Sequence, residues 1–538
     1  MPLAKKTTIC IVFTLISVSF FSGCIFDNIF GVSFSIDSCN LTTKEGFAGL
    51  NVSFTCSGTV TIKLVGPNNF LLDSDTFFKG SHYKIFHMSN YMDTVSTGNY
   101  IVKAYDTDNN EISTQTYTFK GADLTINSCE QKWWERDPWI GGHSLIGLRL
   151  NVTNNGDVPA FPYNVLLDLD SSIDTNLAIP VIVFPGESQN VDCFVYRESE
   201  PENSTFTVSI EDKDENTLAS ETFSVDVEYN VVTKQFIWEY GGRRKPNVPI
   251  PDYLYEYYSN VDPERNKHKD YALYVFSPYD ELYIDVLIEC LMFTFTGTED
   301  LQKINYIASF VQNLDYQADS DTDDSYEYPR YPVETLFDGD NGRGDCEDKA
   351  ILAASILYKM GYDVSLIRLP NHMAVGVKLS ESALPGTSYY IDDYYFLETT
   401  TPGKSCGSVP NDYADLASEA SVHPITDRAL LVHEWEDNNI IIYTNTEFGD
   451  FVQVSLYVEN LGLETARDIK VIAGFYTISD LTIDTEDTAI SLLLPNYKKK
   501  VTLSVDIPVG VESWFITKLY YDHEVVDKKE SASSFPAI

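Results

Sequence analysis

Residues 341–379 read NGRGDCEDKAILAASILYKMGYDVSLIRLPNHMAVGVKL, and after a variable stretch residues 394–403 read YYFLETTTPG. Cys346 follows a glycine-rich loop and opens a run in which Ala350, Ile351, Ala353, Ala354, Leu357 and Met360 recur at helical spacing. Gly361 stands where a C-terminal cap belongs. A cysteine at a helix N-terminus faces unpaired N–H groups and the positive end of the dipole, which favour thiolate over thiol. The same N–H groups can hold the oxyanion that forms when sulfur attacks a carbonyl. His372 follows in a tight Pro370-Asn371 turn between two alternating segments, Tyr362–Leu369 and Met373–Leu379, which read as strands. A helix followed by an antiparallel hairpin would bring the imidazole over the helix N-terminus, within reach of the thiol. Glu398 lies in a third strand-like run, Tyr394–Thr400, where a carboxylate can orient the imidazole and stabilise its charge.

Working outward, GDCEDKAILAASILYKMGYDV, NHMAVGV and YFLETT together resemble the core of transglutaminase-like domains, most of all the archaeal surface-protein branch. Further matches lie upstream in FVQNLDYQAD, YPRYPVETL and FIWEYGG, so that the resemblance covers roughly residues 230–410. It implies a papain-like order of nucleophile, base and acid: Cys346, His372 and Glu398. The family more often carries Asp in a Leu-Asp-Pro-Thr setting where this chain has Leu397-Glu398-Thr399-Thr400. Taken singly, a helix-start cysteine, a turn histidine and a strand glutamate are more often structural than catalytic. The catalytic reading rests on the three in order, each inside its own extended motif.

The chain of 538 residues, 43% of them hydrophobic, is long enough for several separate cores. A net charge of −43 with no basic patch argues against nucleic acid as a partner. Lys5 and Lys6 precede the apolar run Ile9–Phe21, and the stretch ends Phe21-Ser22-Gly23-Cys24. This is the pattern of a secretory signal. Its ending resembles a lipobox, which implies that Cys24 is the lipidated first residue of the mature chain; a plain signal peptide or an uncleaved anchor is the alternative.

From about residue 31 to 229, short alternating runs such as NVSFTC, TVTIKLV, LTINSC and FTVSIED are separated by Gly, Asn and Asp turns. They read as two β-sandwiches. The phrase LRLNVTNNGDVPAFPYNVLLDLD resembles a CARDB-type Ig-like adhesion module, and VQVSLYVENLGLETARDIKVIAGFY repeats its grammar near the C-terminus. The expected architecture is therefore multidomain: an α+β transglutaminase-like, papain-like core flanked by all-β Ig-like sandwiches. The boundaries are 1–24 for the signal, 25–120 and 121–229 for two sandwiches, 230–430 for the catalytic domain and 431–538 for a third sandwich.

Of nine cysteines, Cys10 lies in the signal and Cys24 at the lipid site. Cys39 with Cys56, Cys129 with Cys193, and Cys290 with Cys406 then fall as candidate disulfides, leaving Cys346 unpaired; ordinary buried thiols are the alternative. Sequons at Asn40, Asn51, Asn151 and Asn203 fit an extracytoplasmic location, though a chain rich in Ser and Thr also produces them by chance.

Asp345 and Glu347 flank Cys346, and the Asp-Cys-Glu triplet is similar to that of bacterial periplasmic transglutaminase-like cysteine proteinases, where the flanking acids bind calcium. Oxygen-rich loops suit a hard cation, while capping and dipole complementation are the alternative roles. The chemistry itself requires no cofactor. These residues lead to a surface-anchored cysteine peptidase or amidase that works through a thioester on a protein or peptide substrate, attached to the membrane by its N-terminal lipid. A protein cross-linking transglutaminase shares the same acyl-enzyme, and an adhesion or envelope protein that uses only its sandwiches is the reading from another class.

Overall fold

The computed structural model describes residues 32–136, 142–198, 204–260, 271–319, 328–380, 383–386, 388–414, 416, 419–425, 428–446, 449–462, 464–479 and 481–536. The expected signal segment with Cys10, the expected lipid site at Cys24 and the Asn203 sequon lie outside the described residues.

Period-two alternation becomes period-two burial: Val60–Val65 alternates buried and half-buried residues along its length. Its sheet, with Leu71–Phe77, Gly98–Tyr105 and Glu111–Phe119, faces a second made of Phe34–Lys44, Phe47–Cys56 and Gly80–His87. Ile62, Leu64 and Val102 from one sheet share a core with Leu50, Val52 and Phe54 from the other. Each such side chain contributes about 1.5–3 kcal/mol by leaving water. A second pair of antiparallel sheets spans Leu124 to Ser224, and a third spans Leu431 to Glu530. The last two share a buried asparagine device. Asn154 Nδ2 donates to the Val158 and Val183 carbonyls, at 2.8 and 2.9 Å, while its Oδ1 accepts from Gly156 N at 2.9 Å. Asn460 does the same to Glu464 and Leu493, at 2.8 and 3.1 Å, and accepts from Gly462 N at 3.0 Å. The repeated Asn-x-Gly seen in the sequence is thus a repeated way of satisfying buried backbone at a strand-to-turn junction.

The first and third pairs of sheets pack side by side. Phe47 and Tyr457 ring centroids lie 5.6 Å apart, Phe78 and Phe451 5.2 Å, and Lys44 Nζ reaches Asp437 Oδ2 at 2.9 Å.

Between them the chain carries its main helices, Asp252–Asn260, Glu281–Met292, Asp300–Gln312, Pro332–Phe337 and Cys346–Lys359, and a five-stranded sheet in the order Tyr390–Ile391, Tyr394–Leu397, His372–Val377, Val364–Leu369, Ser421–Ile425. Every pairing in that sheet is antiparallel. Here the structure corrects the expected fold class. Among the described residues the molecule is predominantly β, 51% strand against 15% helix, in many antiparallel sheets, and an α+β papain-like core is not what it builds. The reason is compositional: alternation with Gly and Asn turns runs through most of the chain, whereas the helical spacing that suggested such a core is confined to a few segments of nine to fourteen residues. No helix among the described residues is long and apolar enough to cross a membrane.

The expected disulfides are also overturned, since all seven described cysteines are free. Cys39 lies opposite Val52 rather than Cys56, which displaces the two by ~13 Å along the strands. Cys129 and Cys193 stand on either side of the strand His143–Asn154, opposite Leu150 and Leu148. Two strand spacings amount to about 9–10 Å, beyond the reach of a disulfide.

Candidate active site

The helix Cys346–Lys359 begins where the sequence suggests, with Asp345 at its N-cap and the Asp345 N–H donating back to Asp348 Oδ2 at 3.2 Å. It ends at Met360, and Gly361 turns the chain at φ +89°. The apolar stripe is not a stripe in the fold: every residue from Glu347 to Leu357 is buried. The sheet strands Val364–Leu369 and His372–Val377 cover one side of the helix, and the helices Asp300–Gln312, Pro332–Phe337 and Glu281–Met292 cover the others. Its polar positions therefore need partners inside. Arg330 supplies one, donating its backbone N–H to Asp348 Oδ1 at 2.7 Å and its guanidinium to Oδ2. Lys349 supplies another, donating to the Leu314 carbonyl at 2.6 Å, and burial lowers its ammonium to about 8.

Val364–Leu369 and His372–Val377 form a hairpin closed by Pro370 and Asn371, in which Leu369 pairs with His372 and Asn371 takes φ +60°. Tyr394–Leu397 pairs with the far side of His372–Val377, Leu397 opposite Val375. Glu398, the next residue, is thereby carried up to the start of the histidine strand. His372 Nε2 and Glu398 Oε2 are 3.1 Å apart, with both side chains almost wholly buried. The other carboxylate oxygen of Glu398 accepts from Thr400 N at 2.8 Å, Thr400 Oγ1 at 2.5 Å and Thr401 N at 3.1 Å. Burial works against the Glu398 charge, but the hydrogen bond and charge of His372 and the Thr400 donors outweigh it and hold the carboxyl below its ordinary value.

The Cys346 thiol is partly exposed at the helix start. The backbone of Met373, the neighbour of His372, lies close enough to the sulfur to favour its charged form, so thiol and imidazole belong to one cluster. The thiol donates to Glu347 Oε2 at 3.1 Å. The helix terminus is not what governs its charge. Burial, then the carboxylates of Glu347 and Asp345, push the thiol up, opposite to the expected stabilisation of a thiolate.

Three residues absent from the sequence-level site belong to it. Tyr413 lies flat on His372, ring centroids 3.9 Å apart and planes within 4°. Gln312, buried, donates to the carbonyls of Glu398 and Lys404, at 2.9 and 2.8 Å, and accepts from Gly403 N at 2.9 Å, clipping the Glu398 loop to the helix Asp300–Gln312. Tyr316 lies near enough for Cys346, Asp345 and Glu347 to add to the effect of burial in raising its hydroxyl. Gln312 and Tyr316 stand in the FVQNLDYQAD stretch, whose resemblance was the only signal for them.

Among the described residues one group of possible metal ligands gathers, Asp345, Cys346 and Glu347, with donor atoms within 4.8 Å of one another. That is two carboxylates and a sulfur. A calcium ion takes about six to eight oxygens, so this group alone does not make its coordination shell. Asp338, upstream, is turned instead towards Arg330 and Arg343, each at 3.7 Å.

No family model matches the chain, and no curated protein matches it. Among solved structures, a red sea bream transglutaminase is similar at 11% identity over 72% of this chain and 79% of that one, with a TM-score of 0.18. The exo-chitosanase CsxA of Amycolatopsis orientalis is similar at 9% identity over 90% of this chain and 76% of that one, TM-score 0.15. A β-glycosidase from Bacteroides vulgatus is similar at 12% identity over 36% and 24%, TM-score 0.12. Scores this low leave the reading of the site to its own geometry.

Proposed function

We propose that the chain is a transglutaminase-like cysteine hydrolase, held at the cell surface by a lipid on Cys24, that opens amide or isopeptide bonds in neighbouring proteins. One observation carries the reading: a buried His372–Glu398 pair stands near a partly exposed thiol at a helix N-terminus, with Met373, the residue after His372, close to the sulfur. Because the thiol is held up by burial and two acids, it reacts as a thiol and not as a standing thiolate. His372 takes the sulfur proton as the S–C bond forms, and Glu398 stabilises the imidazolium. Backbone N–H groups of the first helical turn receive the oxyanion. The C–N bond then breaks, His372 returns the proton to the leaving amine, and a thioester remains for water to hydrolyse. Gln312 and the Thr400 donors keep Glu398 in place, so they are positioning residues.

The test is incubation of the purified protein with dimethylated casein, with and without a fluorescent primary amine, beside Cys346→Ser. Fragments formed only by the unsubstituted chain support the hydrolase. Amine incorporation without fragments moves the assignment to cross-linking. Neither product, with surface binding unchanged by the substitution, favours the adhesion reading.

A further inference from the structure

Four aliphatic side chains stand in solvent at one end of the last sheet pair: Ile478 at 87% exposure, Leu481 at 65%, Val509 at 85% and Val511 at 38%. They occupy two adjacent turns, one after the strand Ala466–Tyr476 and one before Trp514–Tyr521, brought together because Tyr476 pairs with Trp514. Single exposed aliphatics need no explanation, but four on neighbouring turns make a patch. The second turn, residues 507–513, reads IPVGVES and contains no base.

The described chain starts at this same end. Ser57 N donates to the Ser33 carbonyl at 3.0 Å, Phe34 pairs with Cys56, and Cys56 with Gly80. Phe78, just before Gly80, meets Phe451 at 5.2 Å, and Phe451 pairs with Asp506, from which the 507–513 turn springs. The opposite end of the sheet pair faces the rest of the molecule: Lys213 lies over the Tyr497 ring at 4.3 Å, and Leu461 N donates to the Leu430 carbonyl at 2.8 Å. Only seven residues separate Cys24 from Val32. Even fully extended they reach about 25–30 Å.

We infer that this end is where the protein meets its membrane, the two turns dipping Ile478, Leu481, Val509 and Val511 into the lipid interface. The inference rests on the lipid anchor proposed above and extends it: a short tether at one end of the molecule forces that end towards the bilayer. The occupant is zwitterionic lipid, because the 507–513 turn has no base to meet anionic headgroups and a chain of net charge −43 is repelled by them. Half-buried Trp514 at the base of the turns suits the headgroup level. The strand Gly449–Asn460 runs from this end to the other, and its 12 residues span about 36–40 Å.

The test places an environment-sensitive fluorophore at Val509→Cys, with Arg467→Cys at the opposite end as control, both in a background of Cys39→Ser, Cys129→Ser and Cys346→Ser in the lipidated full chain on phosphatidylcholine vesicles. The inference expects blue-shifted emission and quenching by nitroxide lipids at position 509 and water-like emission at 467. Water-like emission at both sites in protein that floats with the vesicles overturns the inference and leaves the anchor standing. Failure to float overturns the anchor and the inference with it. A blue shift at 509 without vesicles that grows with protein concentration assigns the patch to a second copy of the chain and overturns the lipid.

Discussion

His372 and His433 are each held by a carboxylate in nearly the same way. His372 Nε2 meets Glu398 at 3.1 Å in the central region; His433 Nδ1 lies 2.9 Å from Asp527 in the last sheet pair, and its Nε2 is 2.7 Å from Thr517 Oγ1. By hydroxyl, imidazole and carboxylate alone, the second is the more complete triad. Yet Thr517 has no exposed surface, sits within the strand Trp514–Tyr521 and also accepts from Trp435 Nε1 at 2.7 Å. Its oxygen is saturated and sealed in a core. Cys346 is partly open to solvent and begins a helix, so a carbonyl can approach it and find backbone donors. The constellation is cheap to build as a hydrogen-bond network, and access with oxyanion donors is what distinguishes a site from a strut.

That contrast can be broken first by substitution. Cys346→Ser and His372→Ala are each expected to lower amide cleavage at least about 1000-fold; the melting temperature stays near that of the unsubstituted chain in Cys346→Ser and falls in His372→Ala, which leaves the buried Glu398 unpaired. Thr517→Val is expected to do the reverse. It leaves the Trp435 N–H and a ring nitrogen of His433 without their partner, costing about 2–4 kcal/mol in denaturant unfolding, with cleavage per folded molecule unchanged. Loss of activity in Thr517→Val at full folding would mean that the wrong histidine has been chosen. Glu398→Gln should lower kcat by about 100- to 10,000-fold through loss of imidazolium stabilisation, with KM little changed.

Acid sharpens the comparison. Burial opposes charge on both Glu398 and Asp527, but their histidine partners win and both carboxyls are held below their ordinary values. Each therefore adds stability that is fully present above the ordinary carboxylate range near about 4 and is lost as pH falls through the folded value. Melting temperature followed from about pH 6 to pH 2 should fall less steeply in Asp527→Asn and in Glu398→Gln than in the unsubstituted chain. A smaller effect separates the two sites electrostatically. Glu347→Gln removes both a charge and an acceptor that raise the thiol, so alkylation of Cys346 by iodoacetamide at about pH 7 should quicken several-fold. The smallest expectation is no effect: calcium or a chelator should leave the melting temperature in place, because Asp345 and Glu347 offer too few oxygens. A rise of several degrees with calcium would put an ion there.

Local elements were legible from the chain because short-range rules write them. The helix from Cys346, its end at Gly361, the hairpin through Pro370-Asn371 and the strand leading to Glu398 follow from spacing, turn chemistry and caps within a few residues. What the chain could not disclose was the sum of many such elements and everything set by burial. The predominance of strand over helix, the free cysteines and the all-round burial of the Cys346 helix depend on which faces meet. The raised thiol, the Tyr413 plate and the Gln312 clip join groups that are up to 92 residues apart. Desolvation and long-range pairing have no signature in local periodicity, which is why the elements that carry Cys346, His372 and Glu398 could be read from the sequence while the charge on the sulfur could not.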